Sequence, residues 1–224
     1  MNKKAVVVLS GGLDSTTLCY HLQASGYTLT CVSFNYGQKH LKELAVADLV
    51  AHELKAKYHI IDLSFMQQYL QTSSLINNQI SNPKEEYKRE NMLVTVVPNR
   101  NTMMLSLAWT IACDINAEIL AYGPHRGDNY VYADCRPDYV SALNLALRLG
   151  TIDSRNEDLQ LIAPFLNMTK AQIVKHGADL GVPFADTWSC YDGGEIHCGK
   201  CGTCIQRRQA FITAKVIDPT GYKE

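Results

Sequence analysis

The sequence predicts an α/β protein, a doubly wound, mostly parallel sheet covered by helices on both faces, with a small C-terminal metal-binding segment. Three observations carry this expectation. Short apolar runs bounded by Gly, Pro and polar clusters alternate with stretches of helical period along the whole chain. The first run, Ala5–Leu9, is apolar at every position, as expected of a strand buried on both faces in a parallel sheet. Cys190, Cys198, Cys201 and Cys204 crowd together near the C-terminus, whereas the other four of the eight cysteines are scattered.

The elements follow in order. After Ala5–Leu9 and a turn, a helix is predicted from Ser15 to Ala24, closed by Gly26. Leu29–Phe34 reads as the second strand. Leu41, Leu44, Ala45, Asp48, Leu49 and His52 then set a helical period through Leu54, and Tyr58–Leu63 is the third strand. Residues 64–91 change character, with Gln-Gln, Ser-Ser and Asn-Asn pairs and a charged run at 84–90, and read as a mobile surface insertion in preference to a binding motif, although insertions at a sheet's edge often act as lids. A long apolar helix spans Asn99 to Ile115, Glu118–Tyr122 is the fourth strand, Pro137–Leu149 a further helix and Leu159–Phe165 the fifth strand. Thr169 is expected to cap a helix over Lys170–Leu180, which Gly181 and Pro183 terminate. No internal repeat is present. The reading divides the chain into an α/β domain over 1–185 and a cysteine knuckle with a final helix over 186–224, both in one structural unit.

Composition fits a cytoplasmic enzyme. The 224 residues are 46% hydrophobic and 19% charged, enough to bury one full core. The net charge of −1 provides no basic field, which counts against a nucleic-acid partner. Met1-Asn2-Lys3-Lys4 leads into too few apolar residues for a signal peptide or a membrane span. Cysteines without an export signal imply reduced thiols or metal ligands, with Cys19, Cys31 and Cys113 most simply core residues.

The turn after the first strand is Ser10-Gly11-Gly12-Leu13-Asp14-Ser15. Glycines let the backbone N–H groups approach an anion closely, two serines add hydroxyl donors, and the helix that follows presents its positive end to the same point. This is a phosphate cradle, but G-x-x-x-x-G-K-[ST] is absent and no lysine follows the glycines. In an open α/β sheet, ligands sit at the carboxyl ends of the strands where strand order reverses. That rule selects five loops: 10–15, 35–40, 98–101, 123–137 and 166–170. Asn35–His40 offers an aromatic platform in Tyr36, an amide in Gln38 and two basic groups. Arg100 stands between two amides, as a phosphate ligand or as a capping or ion-paired residue. Between Gly123 and Pro137 the density of polar and aromatic side chains exceeds what packing requires. There Asp134 is suited to accept from a nucleobase edge and Arg136 to clamp a carboxylate or phosphate, unless the two pair with each other. Cys135 is given no role.

Four thiolates, three of them at x2 spacing in Cys198–Cys204, suit a closed tetrahedral zinc site of structural type, with Gly199 and Gly202 letting the knuckle turn. An iron–sulfur cluster is the rival, but a fourth cysteine three residues on is missing. His197 reads as a bystander.

Val8–Thr17 (V-L-S-G-G-L-D-S-T-T), Phe34–His40 (F-N-Y-G-Q-K-H), Val97–Asn101 (V-P-N-R-N), Asp134–Arg136 (D-C-R), Asn167–Lys170, Thr187–Tyr191 (T-W-S-C-Y) and the Cys198–Cys204 knuckle together resemble the 7-cyano-7-deazaguanine synthase family. That family is a branch of the PP-loop ATP pyrophosphatases, and the likeness covers nearly the whole chain. It differs where family members read S-G-Y-P, here Tyr130-Val131-Tyr132-Ala133, and where V-P-G-R-N has become V-P-N-R-N. The resemblance implies a Rossmann-like PP-loop fold and a cytoplasmic, zinc-bearing homodimer with no membrane attachment. It implies a ligase that uses ATP, Mg²⁺ and ammonia to convert 7-carboxy-7-deazaguanine to the nitrile on the route to queuosine. ATP would be held by Val8, Leu9, Ser10, Gly11, Gly12, Leu13, Asp14, Ser15, Thr16, Thr17 and Leu18. Catalysis would fall to Asp14, Ser15, Arg100 and Lys170, although Lys170 also reads as a solvated first-turn lysine. The deazaguanine would meet Tyr36, Gln38, Arg100, Asp134 and Arg136, and zinc would be held by Cys190, Cys198, Cys201 and Cys204. An alternative is a ligase that joins the same carboxylate to another amine, such as a protein N-terminus, and stops at the amide. A tRNA-modifying relative would want a more basic surface.

Overall fold

The computed structural model describes residues 3–39, 41–84, 88–151 and 156–223. His40 and residues 85–87 of the charged run lie outside the described residues.

Ala5, Val7 and Leu9 point to one face of the first strand and Val6 to the other, and all four are fully buried. That explains the unbroken apolar run: Val6, Val7 and Leu9 each remove surface equivalent to roughly 1.5–3 kcal/mol from water. Five parallel strands result: β1 (Lys4–Val8), β2 (Thr28–Asn35), β3 (Lys57–Asp62), β4 (Ile119–Ala121) and β5 (Gln160–Ile162), in the order β3-β2-β1-β4-β5. The helices are α1 (Leu13–Ala24), α2 (Lys42–Glu53), the single turn α3 (Arg89–Met92), α4 (Arg100–Asp114), α5 (Pro137–Leu149), α6 (Lys170–Asp179) and α7 (Gly202–Ala214). One core cluster unites the inner sides of α1, α2, α6 and α7, and the other those of α4 and α5.

The chain winds outward from β1 through β2 to β3, then returns so that β4 lies against the opposite edge of β1, Val6 opposite Leu120. The strand order therefore reverses between β1 and β4, and the crevice above their carboxyl ends is the expected ligand site. β4 and β5 are shorter than the sequence suggests, and a turn begins at Pro164 just beyond β5. α5 begins on Pro137, as expected of a first-turn proline. Thr169 caps α6 in a capping box with Gln172.

The insertion over 64–91 differs from expectation. Ser73, Ser74, Leu75 and Ile76 are buried. Ser73 donates to Thr95 O, the Ser74 N–H to Val94 O, and the Lys39 N–H to Leu75 O. The Ser73 hydroxyl and the Ser74 N–H thus satisfy backbone carbonyls inside the fold while Ile76 joins the core. The C-terminal segment shares the main core too, since Cys190, Cys201, Cys204 and Phe211 pack in one cluster with Leu18 and Ile173.

Candidate active site

A cleft of about 270 Å³ opens at the β1/β4 reversal point, and all five loops selected from sequence line it. Its base is Ser10–Ser15. Gly11 adopts φ +76°, and a Cβ there would lie 2.4 Å from the Glu43 carbonyl oxygen, so only glycine fits. Gly12 is the N-cap of α1, and the first helical bond runs from the Thr16 N–H to Gly12 O; the amides of Leu13, Asp14 and Ser15 precede it. The Ser10 and Ser15 hydroxyls lie 3.0 Å apart, and Ser15 Oγ also accepts from the Ser10 N–H at 3.2 Å. Hydroxyls and helix amides thus converge where an anion would sit. Val8, Leu9 and Leu13 line the cleft with their serine and aspartate neighbours, whereas Thr16, Thr17 and Leu18 face inward and are buried, with Thr17 donating to Leu13 O.

Lys170, in the first turn of α6, pairs with Asp14 Oδ2 at 2.9 Å and donates to Gln206 Oε1 at 3.1 Å; it is an inward lysine rather than a solvated one. Burial pushes the Asp14 carboxyl up, but Lys170 above all, with Arg207, outweighs burial and holds it below the ordinary carboxylate value. Asp14 Oδ1 is buried without a hydrogen-bond partner among the described residues. Behind the pair sits His125, also buried, whose Nδ1 accepts from the Gly127 N–H and whose Nε2 lies 3.6 Å from Asp128 Oδ1.

Across the cleft, Arg100 donates to the Tyr36 hydroxyl at 3.3 Å and its guanidinium lies 5.7 Å from the Tyr36 ring centre. Burial works against the Arg100 charge, and Tyr36, Asp134 and Tyr132 more than restore it. Asn99, where the resembling family has glycine, takes φ +51°, a left-handed conformation that asparagine tolerates. Gln38 accepts from the Tyr36 N–H and donates to Phe34 O, so it braces the loop that carries Tyr36. Asp134 does not line the cleft; its carboxylate accepts from the Asn101 N–H at 3.1 Å, beside Arg100. Arg136 is exposed and donates to Asn129 O, so it lies apart from the cleft. Burial pushes the Cys135 thiol far up, which disfavours a thiolate nucleophile.

Residues that the sequence did not single out as ligands complete the wall: Leu75 of the insertion, Trp188, Ser189 and Tyr191, and Thr203 and Gln206 of α7. Of these, Trp188–Tyr191 lay within a stretch that matched the family pattern, the only signal that could have found them. Arg207 is fully buried and donates to Thr187 Oγ1, Ser189 Oγ and Phe184 O, which pins the segment entering the cysteine cluster onto α7.

The four cysteine sulfurs of Cys190, Cys198, Cys201 and Cys204 lie within 4.8 Å of one another. The Cys198 N–H donates to Cys190 Sγ, and the Lys200 and Cys201 N–H groups donate to Cys198 Sγ, the support that metal thiolates receive. The arrangement can hold a metal ion. His197 is not part of it: its Nε2 accepts from the Ser189 N–H and its ring packs on Trp188 at 4.2 Å.

Residues 4–215 match the family model described as queuosine biosynthesis protein QueC. A 7-cyano-7-deazaguanine synthase from Brucella anthropi is 44% identical over 221 residues, covering 99% of this chain and 94% of the relative. Enzymes of the same name from Rhizobium johnstonii (43% over 227 residues; 99% and 92%) and Paracoccus denitrificans (42% over 221 residues; 99% and 94%) are similar over the same span. Among solved structures, a predicted tRNA methyltransferase subunit from Methanocaldococcus jannaschii superposes with TM-score 0.51 at 16% identity, covering 79% of this chain and 74% of that one, a likeness of fold alone.

Proposed function

The chain belongs to the family of the queuosine biosynthesis protein QueC, and from that premise we propose how its cleft makes 7-cyano-7-deazaguanine. The enzyme is a ligase that forms carbon–nitrogen bonds, and it acts on 7-carboxy-7-deazaguanine, ammonia and ATP. A carboxylate is a poor acyl donor because oxide would have to leave. Its oxygen attacks the α-phosphorus of ATP, pyrophosphate departs, and an acyl adenylate forms. Ammonia adds to the acyl carbon, AMP leaves and a proton is lost, giving the amide. The amide oxygen attacks a second ATP, again releasing pyrophosphate; loss of AMP and the remaining N–H protons leaves the nitrile.

The chain's own contribution is positioning and charge stabilisation. Ser10, Ser15 and the α1 amides receive the departing pyrophosphate, Lys170 and Arg100 flank the phosphates, and Tyr36 offers a stacking face for a purine-like ring. Asp134 serves in this reading by holding the Arg100–Asn101 turn and Gln38 by holding Tyr36, whereas Arg136, outside the cleft, has no contact with it. Mg²⁺ fits the partnerless Asp14 Oδ1, since this ion takes one or two carboxylates together with substrate phosphates and would draw charge from the α-phosphoryl group. Zinc fits the cysteine cluster, a closed donor set of four sulfurs without an open position, and would act as a structural ion. A cytoplasmic homodimer belongs to the same reading. The observation that carries the proposal is the convergence of Ser10, Ser15, Lys170 and Arg100 on one cleft.

The test is product analysis of purified protein with 7-carboxy-7-deazaguanine, ammonium and ATP. Two AMP and two pyrophosphate per nitrile are expected. One AMP per stable amide, or ADP with phosphate, would overturn the proposal.

A further inference from the structure

Lys170 has three N–H donors, and the structure accounts for them one at a time. One goes to Asp14 Oδ2 at 2.9 Å and one to Gln206 Oε1 at 3.1 Å. His125 Nε2 lies 3.4 Å away but cannot take the third. Its Nδ1 already accepts from the Gly127 N–H at 2.9 Å, which assigns the ring proton to Nε2, and an Nε2 that carries a proton has no lone pair to offer there. The third N–H is therefore uncommitted among the described residues, and Lys170 lines the cleft together with Ser10, Asp14 and Ser15.

An ammonium on a four-carbon stem rotates freely unless two of its donors are fixed. Asp14 alone would leave that rotation open. Gln206 removes it, and its backbone is anchored: it sits on α7, whose N-cap is Cys201 and whose first turn carries Cys204, and Arg207 beside it is fully buried. An amide can accept from an ammonium only through its oxygen, so the orientation of this side chain is also set.

We infer that Gln206 is a positioning residue that fixes the rotation of the Lys170 ammonium and aims its third N–H at the ATP phosphates. The inference rests on the reading of the cleft as an ATP site, and it gives the cysteine-bearing helix a second task besides holding a metal. A neutral amide suits the role because it accepts a hydrogen bond without adding a negative charge beside the phosphates.

The experiment is a double-mutant cycle on equilibrium binding of α,β-methylene-ATP, an analogue that cannot be adenylated, with metal content measured for every variant. Gln206→Met keeps length and volume but removes the acceptor. It is expected to weaken binding about tenfold in the wild-type background and less than twofold in a Lys170→Met background, with metal content unchanged. Gln206→Glu restores an acceptor to Lys170 and is expected to bind better than Gln206→Met. Equal losses in both backgrounds, a fall in metal content that accompanies the loss, or no loss at all would each overturn the inference. Product analysis with 7-carboxy-7-deazaguanine is independent of this cycle, so a wrong substrate would appear there and not here.

Discussion

The backbone N–H of Trp188 donates to the carbonyl oxygen of Gly11 at 2.9 Å, which ties the segment entering the cysteine cluster directly to the phosphate-binding turn. Lys42 of α2 lies 4.4 Å from the Trp188 ring centre, so the indole is gripped from the other side as well. Gly11 is thus held through its carbonyl by one segment and through its missing side chain by α2.

Gly11→Ala should be costly for two reasons: φ +76° disfavours a Cβ, and that Cβ would meet the Glu43 carbonyl at 2.4 Å. A loss of about 2 kcal/mol or more is expected, a fall in Tm of at least about 4 °C. Gly26→Ala supplies the control, because φ +85° is equally strained but nothing lies within 4 Å of its Cβ. Equal melting temperatures for the two variants would contradict the clash.

Removing the metal should reach the active site through Trp188. Cys201→Ser is expected to lower zinc content and, by loosening residues 187–204, to weaken ATP binding as well. Cys113→Ser, on α4 and outside the cluster, should do neither. Iron with visible absorbance in the purified protein, or ATP affinity unchanged in a zinc-depleted Cys201→Ser variant, would refute this.

Asp14 is held below its ordinary value of 3.8 once the Lys170 charge has outweighed burial. The pair's contribution is therefore complete at pH above 3.8 and lost only as pH falls through the lower folded value. Asp14→Asn should abolish turnover by a hundredfold or more yet leave the melting curve flat in pH between 5 and 8, compared with wild type. An acid limb of ATP binding between pH 5 and 6 that disappears in Asp14→Asn would show the carboxyl to be raised instead.

Much of this site was legible because the rule for open α/β sheets depends only on where strands end. Ala5–Leu9, Pro137–Leu149 and the Thr169 cap all announce themselves locally, and the five loops between such elements are the ones that line the cleft. The insertion was misread because Ser73 and Ser74 look solvent-facing in sequence, whereas their hydroxyl and amide groups close backbone hydrogen bonds with Thr95 and Val94. Arg207 escaped notice because its partners, Thr187, Ser189 and Phe184, are distant in sequence, and no periodicity marks a buried cation that is satisfied at long range. Asp134 and Arg136 share one short motif, yet a 3₁₀ turn over Ala133–Cys135 sends the first toward Asn101 and the second outward.

The paired imidazoles of His21 on α1 and His176 on α6, 3.1 Å apart, give a pH dependence away from the cleft. Burial, and after it His176, lower the His21 value from 6.5. Above pH 6.5 both folded and unfolded chains hold it neutral, and it contributes nothing. As pH falls below 6.5 the unfolded chain takes up the proton first, so stability declines until the lower folded value is passed. His21→Gln should flatten the fall in Tm between pH 6.5 and 5; an unchanged slope would assign that fall to other groups.

The segment Tyr130–Ala133, where the chain departs from its family's pattern, bears on which amine is accepted. Of the replaced side chains only Tyr132 lines the cleft, and it stays in the wall. Val131 is buried and Tyr130 projects outward, while Tyr132 lines the cleft and its hydroxyl meets Thr95 Oγ1 at 2.7 Å. Thr95 Oγ1 donates in turn to Met92 O, so the Tyr132 hydroxyl is the donor of that contact and clasps the insertion to the wall. The expected outcome is that this clasp keeps the wall in place and ammonia remains the acceptor. Tyr130→Ser should leave kcat/KM for ammonium within twofold of wild type. Tyr132→Phe removes the hydroxyl's bonds to Thr95 and Tyr191, about 1–2 kcal/mol, and should lower kcat/KM for the carboxylate roughly fivefold to thirtyfold through KM. Measuring both variants with ammonium and with a short amino-terminal peptide decides the matter: a peptide adduct formed faster by Tyr130→Ser than by wild type would mean that this outward tyrosine, and not the Tyr132 clasp, guards the acceptor side.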